Sequence, residues 1–191
     1  DQVDINMKVE ERPTGSIMFG AGYSDRQGIL LNASLSQNNI FGTGNFFNLE
    51  VQRAAINQTY SASFTNPYFT VNGVSLGFDL YKRDIDTRPL KSFAEFKTQT
   101  VGAGIRLGIP IAENDIVSFG LAAENTHIDT TPKSPRRYTE FTEEFGTSTN
   151  NFPFTVSWAR DRRDSAIWTT SGTTHRLFAE ISVPGGDLNY Y

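Results

Sequence analysis

Apolar and polar residues alternate along most of the chain with a period of two. A first amphipathic stretch covers residues 3–9 and ends at the breaker Glu11-Arg12-Pro13. Because successive side chains of a β-strand point to opposite faces, such alternation predicts strands with one apolar and one polar face. Similar stretches cover residues 16–23, 29–36, 47–51, 60–64, 74–80, 101–109, 117–123, 154–158 and 177–183. The pattern predicts an all-β fold of about ten strands.

The connections between the predicted strands differ in length. Residues 83–95 and 129–151 are long and charged, whereas residues 72–73 and 110–114 are tight. In an antiparallel up-and-down sheet both long connections fall at the same end. Outer-membrane barrels combine short periplasmic turns with long extracellular loops, so the arrangement is typical of such a barrel. The one helix-like stretch, residues 138–145, lies inside a polar connection.

The polar faces of the predicted strands are rich in glycine. These glycines are Gly20, Gly22, Gly77, Gly102, Gly104 and Gly108. Glycine weakens a strand that faces solvent, but facing a lumen it permits curvature and leaves room for water or a plug. Ten residues at ~3.3 Å each, tilted by ~45°, rise roughly 23 Å, close to the ~25 Å apolar band of a membrane barrel. We therefore expect a transmembrane β-barrel, with a soluble β-sandwich as the alternative.

Composition narrows the chemistry that the chain can perform. It has no cysteine, which excludes disulfides and thiolate metal sites, and a net charge of −4, which gives no reason to expect nucleic acid. The only histidines, His127 and His175, have no partner at metal-ligand spacing. No nucleophile–base pair or phosphate-binding glycine loop occurs. We expect a protein without enzymatic activity and without a cofactor.

One segment carries a specific resemblance. Residues Thr65–Gly77 resemble the second periplasmic turn and the following strand of the BamA family, outer-membrane β-barrel assembly factors of Gram-negative bacteria. Further matching stretches follow in the same order and spacing. They are Glu11–Ser16, Asn39–Gly44, Gly108–Ile111, Asp164–Gly172 and Pro184–Tyr191. The resemblance covers essentially the whole chain.

The resemblance implies a division of the chain. Residues 1–11 would be the last strand of the final periplasmic POTRA domain, and residues 16–191 the N-terminal half of a sixteen-stranded barrel, ending as a tenth strand begins. The implied hinge between them consists of Arg12, Pro13, Thr14 and Gly15. The implied periplasmic turn of the family motif consists of Asn66, Pro67, Tyr68 and Phe69. We expect the chain to derive from a longer, exported precursor with a signal peptide.

The resemblance also implies the function: insertion and folding of outer-membrane barrel proteins. The first barrel strand would form one side of a lateral gate that templates substrate strands. Its residues are Ser16, Ile17, Met18, Phe19, Gly20, Ala21, Gly22 and Tyr23. The implied partners are the lipid bilayer of the outer membrane, unfolded outer-membrane proteins and periplasmic lipoproteins of the assembly complex. Two alternatives stay open, a POTRA-barrel exporter that secretes a polypeptide and a diffusion porin.

Overall fold

The chain folds into one antiparallel sheet. The computed structural model describes residues 13–90, 94–165, 167–188 and 190. The ten strands are β1 (Gly15–Ser24), β2 (Gly28–Gln37), β3 (Phe46–Arg53), β4 (Asn57–Asn66), β5 (Ser75–Asp86), β6 (Phe96–Ala112), β7 (Asp115–Thr130), β8 (Ser148–Asn151), β9 (Pro153–Asp161) and β10 (Thr174–Ser182). One α-helix, α1 (Arg136–Phe145), follows β7, and short 3-10 turns occupy Ile40–Gly42 and Arg88–Leu90. The all-β prediction is confirmed.

The strands follow the chain order across the sheet. Each strand from β1 to β7 pairs with its neighbours in sequence, and β9 and β10 complete the path. The short strand β8 also pairs with β7, and the two partners share one register: Glu124 lies opposite Asn151 and Leu121 opposite Phe154. Residues 148–161 therefore act as one strand, interrupted before Pro153, whose ring removes a backbone donor.

The polar face of the sheet lies on its inside. A concavity of about 500 Å³ is lined by polar-face residues of strands from β4 to β10, including Ser61, Tyr81, Arg106, Glu124 and Glu180. Of the described hydrophobic residues, Ile128 alone is buried. A β-sandwich needs an apolar core between two sheets. One curled sheet with an exposed apolar outside matches part of a membrane barrel instead.

The β6–β7 hairpin extends beyond the apolar band. Its strands have 17 and 16 residues, against 10 in β1 and β2. Along β5, the outward positions change from Phe78 and Leu80 to Lys82 and Asp84, and Lys82 lies 3.6 Å from the Asp84 carboxylate. Charged residues are costly on the lipid face of a barrel, so this end of β5, together with the end of β6 that pairs with it, stands in water. No helix within the described ranges has the length and apolar character needed to cross a bilayer.

The lengths of the connections do not distinguish the two ends of the sheet as clearly as the sequence suggested. The connections 87–95 and 131–147 do lie at the same end of the sheet. The connection 162–173, however, lies at the opposite end, together with 38–45 and 67–74. The expected contrast between long and short ends therefore holds only for the β5–β8 part of the sheet.

Two expectations about the termini have different outcomes. Because β8 and β9 act as one strand, β10 is the ninth strand of the predicted barrel, and residues 183–190 do not begin a tenth within their described part. Instead they fold back, with the Asp187 amide donating to the Asn150 carbonyl at 2.8 Å and the Ser182 amide to the Tyr190 carbonyl at 2.9 Å. The predicted POTRA strand, residues 1–11, lies outside the described residues.

Candidate functional site

Strand β1 forms one edge of the sheet. It pairs with β2 without a break, from Gly15 opposite Gln37 to Ser24 opposite Gly28. Among the described residues, no strand lies on its other side. An unpaired edge presents a row of backbone donors and acceptors to any strand that can align with it. All eight residues predicted for the gate strand, 16–23, lie within β1.

The outward side of β1 is strongly exposed and apolar. Ile17 is 65% exposed, Phe19 82% and Tyr23 75%. On the inward side, the Asn32 side chain occupies the space beside Gly20 where a Cβ would lie. Beside Gly22 the space is open, with only Leu30 carbons at 3.9 Å from the site of a Cβ. The edge strand is therefore amphipathic, and Met18 is the one large side chain that it carries on the inward side.

The described part of the predicted hinge is attached to β2. The Thr14 carbonyl accepts a hydrogen bond from the Asn38 amide at 2.8 Å. The Thr14 hydroxyl accepts one from Gln37 Nε2 at 2.7 Å. Thr14 thus extends the β1–β2 hairpin by one pair, beyond Gly15 and Gln37. Arg12 lies outside the described residues. Any bend between a periplasmic arm and the sheet would fall before Thr14, and the hinge stays a prediction.

The turn of the family motif follows β4 directly. Asn66 ends the strand, and its Oδ1 accepts from the Tyr68 amide at 3.0 Å, which closes an Asx turn. Tyr68 and Phe69 project from this turn and are 78% and 54% exposed. Aromatic rings are typical of the interfaces at both edges of a membrane barrel. The turn therefore places two rings at one end of the sheet, opposite the end that carries the connections 87–95 and 131–147.

The neighbouring turn at 38–45 presents another exposed ring. Phe41 is 96% exposed and has a φ of 51°, in the left-handed region that side chains with a Cβ avoid. The loop is fixed by the Asn39 side chain, whose Oδ1 accepts from the Gly44 amide at 2.6 Å. Sequence reasoning gave no signal for the strained φ of Phe41.

On the inner wall, some side chains extend over a glycine of the neighbouring strand and contact the strand beyond it. Tyr81, Gly102 and Glu124 lie opposite one another on β5, β6 and β7. The Tyr81 ring lies where a Gly102 side chain would be, and its hydroxyl donates to the Glu124 carboxylate. Sequence reasoning expected these glycines to leave room for water or a plug. At Gly102 the room is instead filled by a tyrosine.

An ion pair on the same wall also lies beside glycines of the neighbouring strands. Arg106 donates to both oxygens of the Asp79 carboxylate, with Nη2 at 2.9 Å from Oδ1. Gly77 and Gly120 flank Arg106 on the two neighbouring strands. The sequence placed Asp79 and Arg106 on the polar face, but only the strand register brings them together.

The charged run at residues 160–164 makes paired contacts at the end of β9. Arg160 donates to both oxygens of Asp115, at 2.7 and 3.1 Å, and so links β9 to β7. Arg163 binds the Asp161 carboxylate at 2.6 Å. In the connection that follows, hydrogen bonds from the Thr170 hydroxyl and neighbouring amides lower the pKa of Asp164 to about 2. Arg160 and Arg163 are thus held in ion pairs, and Asp164 is held by hydrogen bonds within the connection.

Comparisons with known proteins give a consistent result. Residues 39–191 match the Omp85 superfamily domain. The chain is 41% identical over 200 residues to the outer membrane protein assembly factor BamA of Neisseria meningitidis serogroup B, which covers 100% of the chain and 25% of that protein. The same-named protein of Nitratidesulfovibrio vulgaris is 29% identical over 190 residues, covering 98% of the chain and 22% of that protein.

A solved structure shares the fold. The crystal structure of BamA from Haemophilus ducreyi lacking POTRA domains 1–3 superimposes with a TM-score of 0.78 at 28% identity, over 93% of this chain and 36% of that one. The chain thus spans about a quarter of the length of the curated relatives it matches.

Proposed function

The chain belongs to the Omp85 superfamily, and we propose that it forms the first part of the barrel of a factor that inserts and folds outer-membrane proteins. The likeness to BamA proteins of Gram-negative bacteria places it in the cell outer membrane. The observation that supports the assembly role is the 41% identity to an outer membrane protein assembly factor along the full length of the chain.

In this proposal β1 is one side of a lateral gate. Closed barrels span membranes because every backbone polar group is paired within the protein. A substrate strand that leaves water for the membrane needs partners for its own backbone groups, and an edge strand supplies them by β-augmentation. Strand β1 suits this role because it is ten residues long and its outward side is apolar.

The proposed partners follow from the same surface. The apolar outside of the sheet contacts the lipid bilayer, where Ile17, Phe19 and Leu80 are more than half exposed. Unfolded outer-membrane proteins supply the strands that pair with β1. Periplasmic lipoproteins would meet the end of the sheet that carries Phe41 and Tyr68, because strand direction puts these turns at the same end as the predicted hinge.

Two other functions make different demands on the same barrel. A polypeptide exporter of the same superfamily would pass its substrate through the lumen, and a diffusion porin would need an open lumen. The inner wall of the described sheet carries the Tyr81–Glu124 and Asp79–Arg106 contacts. Stable large pores of the full-length protein in planar bilayers would favour the porin.

Depletion of the full-length protein in its host tests the assembly role. We expect porin levels in the outer membrane to fall and unfolded porins to accumulate in the periplasm, with recovery when the wild-type gene is restored. The abundance of an outer-membrane lipoprotein, which is no β-barrel, is the internal control. Unchanged porin assembly after depletion would contradict the proposal.

A further inference from the structure

An ion pair lies on the outward side of the sheet, where β7 begins. The register places Asp115, the first residue of β7, opposite Arg160, and Val117 opposite Trp158. Residues two apart on a strand share a face, so the ion pair lies on the same apolar outside as Val117 and Trp158. Strand β1 begins at the same end of the sheet. The ion pair therefore stands where the apolar outside ends, at the level of a lipid headgroup layer.

The Asp115 carboxylate is enclosed by donors. Asp115 is 4% exposed, and its Oδ1 accepts from Trp158 Nε1 at 3.1 Å. Arg160 Nε and Nη2 donate to the two carboxylate oxygens at 2.7 and 3.1 Å. A carboxylate on the lipid-facing side of a barrel is costly unless it is paired in this way. The contacts also fix the arginine, whose Cζ lies 5.2 Å from the centre of the Trp158 ring.

Arg160 has hydrogen-bond donors that its ion pair does not use. A guanidinium carries five N–H groups in a rigid fork, and Asp115 takes the edge formed by Nε and Nη2. The edge formed by Nη1 and Nη2 donates to no other group in the described part of the chain, and the side chain is 36% exposed. Such an edge binds a carboxylate or a phosphate through two parallel hydrogen bonds. The free edge of Arg160 therefore suits an oxyanion.

The charges around this edge favour an anion. The exposed Arg162 also acts electrostatically on the Asp115 carboxylate, and it makes no ion pair within the described residues. Two guanidinium groups against one carboxylate leave a single positive charge. The next ion pair, between Arg163 and Asp161, is neutral in itself. A phosphodiester carries one negative charge and complements this balance.

Apolar surface continues from the ion pair along the outside of the sheet. Leu177 lies opposite Trp158 on β10 and is 66% exposed, and Leu121, further along β7, is 50% exposed. Tryptophan is typical of the level at which headgroups meet acyl chains. A free phosphate ion would leave this surface unused, whereas the acyl chains of a phospholipid lie along it. The surroundings therefore favour a phosphate that belongs to a lipid.

We propose that Arg160, Arg162 and Trp158 form a binding site for the phosphate of one phospholipid. The free edge of Arg160 donates to two phosphate oxygens, Arg162 supplies the balancing charge, and the acyl chains lie on the apolar outside beyond Trp158. The site requires only that the strands span the membrane, and it does not depend on the assembly role. In the competing explanation, Arg160 serves only as a link between β7 and β9.

Unfolding in two lipids separates a phosphate site from a strand link. The full-length protein is placed in vesicles of phosphatidylcholine or of digalactosyldiacylglycerol, a bilayer lipid without phosphate, with the same acyl chains. The urea midpoint is measured for the wild type and for Arg160→Lys, since a lysine that pairs with Asp115 has no second edge for a phosphate. Arg106→Lys is the matched control, because Arg106 donates in the same way to both oxygens of Asp79 on the inner wall.

Arg160→Lys should lower the urea midpoint by about 0.5–1 M more in phosphatidylcholine than in the galactolipid, because a charge-assisted hydrogen bond is lost only in the phospholipid. Arg106→Lys should lower it equally in the two lipids. Equal losses for Arg160→Lys would leave Arg160 as a strand link and overturn the site. Galactolipid vesicles are also compared in inorganic phosphate and in chloride at equal ionic strength. If inorganic phosphate restores the full difference, the ligand is a free ion and the assignment to a phospholipid is wrong.

Arg162→Gln keeps the test decisive if Arg160→Lys does not fold. Arg162 is exposed and has no ion pair among the described residues, so its loss leaves the sheet intact. The variant should lower the midpoint in phosphatidylcholine by about 0.3 M and leave it unchanged in the galactolipid. Arg137→Gln removes an exposed arginine from α1 and should change neither midpoint. An Arg162→Gln midpoint that changes equally in both lipids, or in neither, would contradict the proposal.

Discussion

The tyrosine that crosses Gly102 predicts a non-additive effect of two small substitutions. Tyr81→Phe removes the hydroxyl that donates to Glu124. Gly102→Ala should remove the same hydrogen bond by a different route, because the new Cβ would lie 2.5 Å from Tyr81 Cζ and 2.6 Å from its hydroxyl. Carbon atoms in contact lie about 3.5–4.0 Å apart, so the ring must move by about 1 Å.

The magnitude follows from the hydrogen bond that both changes break. A hydrogen bond to a charged group contributes about 1.5–3 kcal/mol, and the half-buried setting of Tyr81 and Glu124 points to the lower end. We expect each single variant to lower the free energy of unfolding by about 1–1.5 kcal/mol. The double variant should cost little more than either one, since the bond can be lost only once.

The assay is urea unfolding of the full-length protein in lipid vesicles, followed by tryptophan fluorescence. Tyr60→Phe is the matched control, because it removes a tyrosine hydroxyl from the apolar face of β4. It should change the free energy of unfolding by less than about 0.5 kcal/mol. Costs that simply add in the double variant, or a Gly102→Ala protein as stable as the wild type, would refute the coupling of these residues.

Three further predictions concern the connections. Because the pKa of Asp164 is lowered, its contacts stabilise the loop above pH about 4 and are lost as the pH falls toward 2. Asp164→Asn should therefore reduce the hydrogen-exchange protection of the Ser171 amide at pH 6. Unchanged protection would argue against the contact. Phe41→Gly should raise the free energy of unfolding by about 0.5 kcal/mol because it relieves the positive φ, whereas Phe69→Gly, whose φ is not positive, should not raise it. Tyr138→Ala should speed tryptic cleavage at the start of α1 several-fold by removing a ring stack at 4.4 Å, and Tyr138→Phe should not.

The period of two located all the described strands except β8, which lies inside the predicted connection 129–151. The predicted strand 16–23 became Gly15–Ser24, and 177–183 became Thr174–Ser182. The pattern failed where the hairpin leaves the apolar band: β6 starts at Phe96, although the predicted strand covered only 101–109. Both faces of a strand are polar in water, so the alternation that marks a membrane strand disappears there.

The candidate site was likewise predictable only where its residues form a local sequence pattern. Strand β1 could be located because its amphipathic pattern is local, and the turn at 66–69 because its motif is continuous in sequence. The Tyr81–Glu124 bond joins residues separated by 43 positions, and no local pattern relates them. Their contact depends on two strand registers and on the absence of a side chain at Gly102.

Site-specific photo-crosslinking in living cells tests the central claim most directly. A photoreactive phenylalanine analogue replaces Phe19 on β1 or, as the matched control, Phe78 on β5; both lie on the apolar outside of the sheet. A substrate barrel protein stalled during assembly supplies the partner strand. The account predicts crosslinks from position 19 to a terminal strand of the substrate and none from position 78. Equal crosslinking at the two positions, or none at position 19, would contradict β1 as the gate.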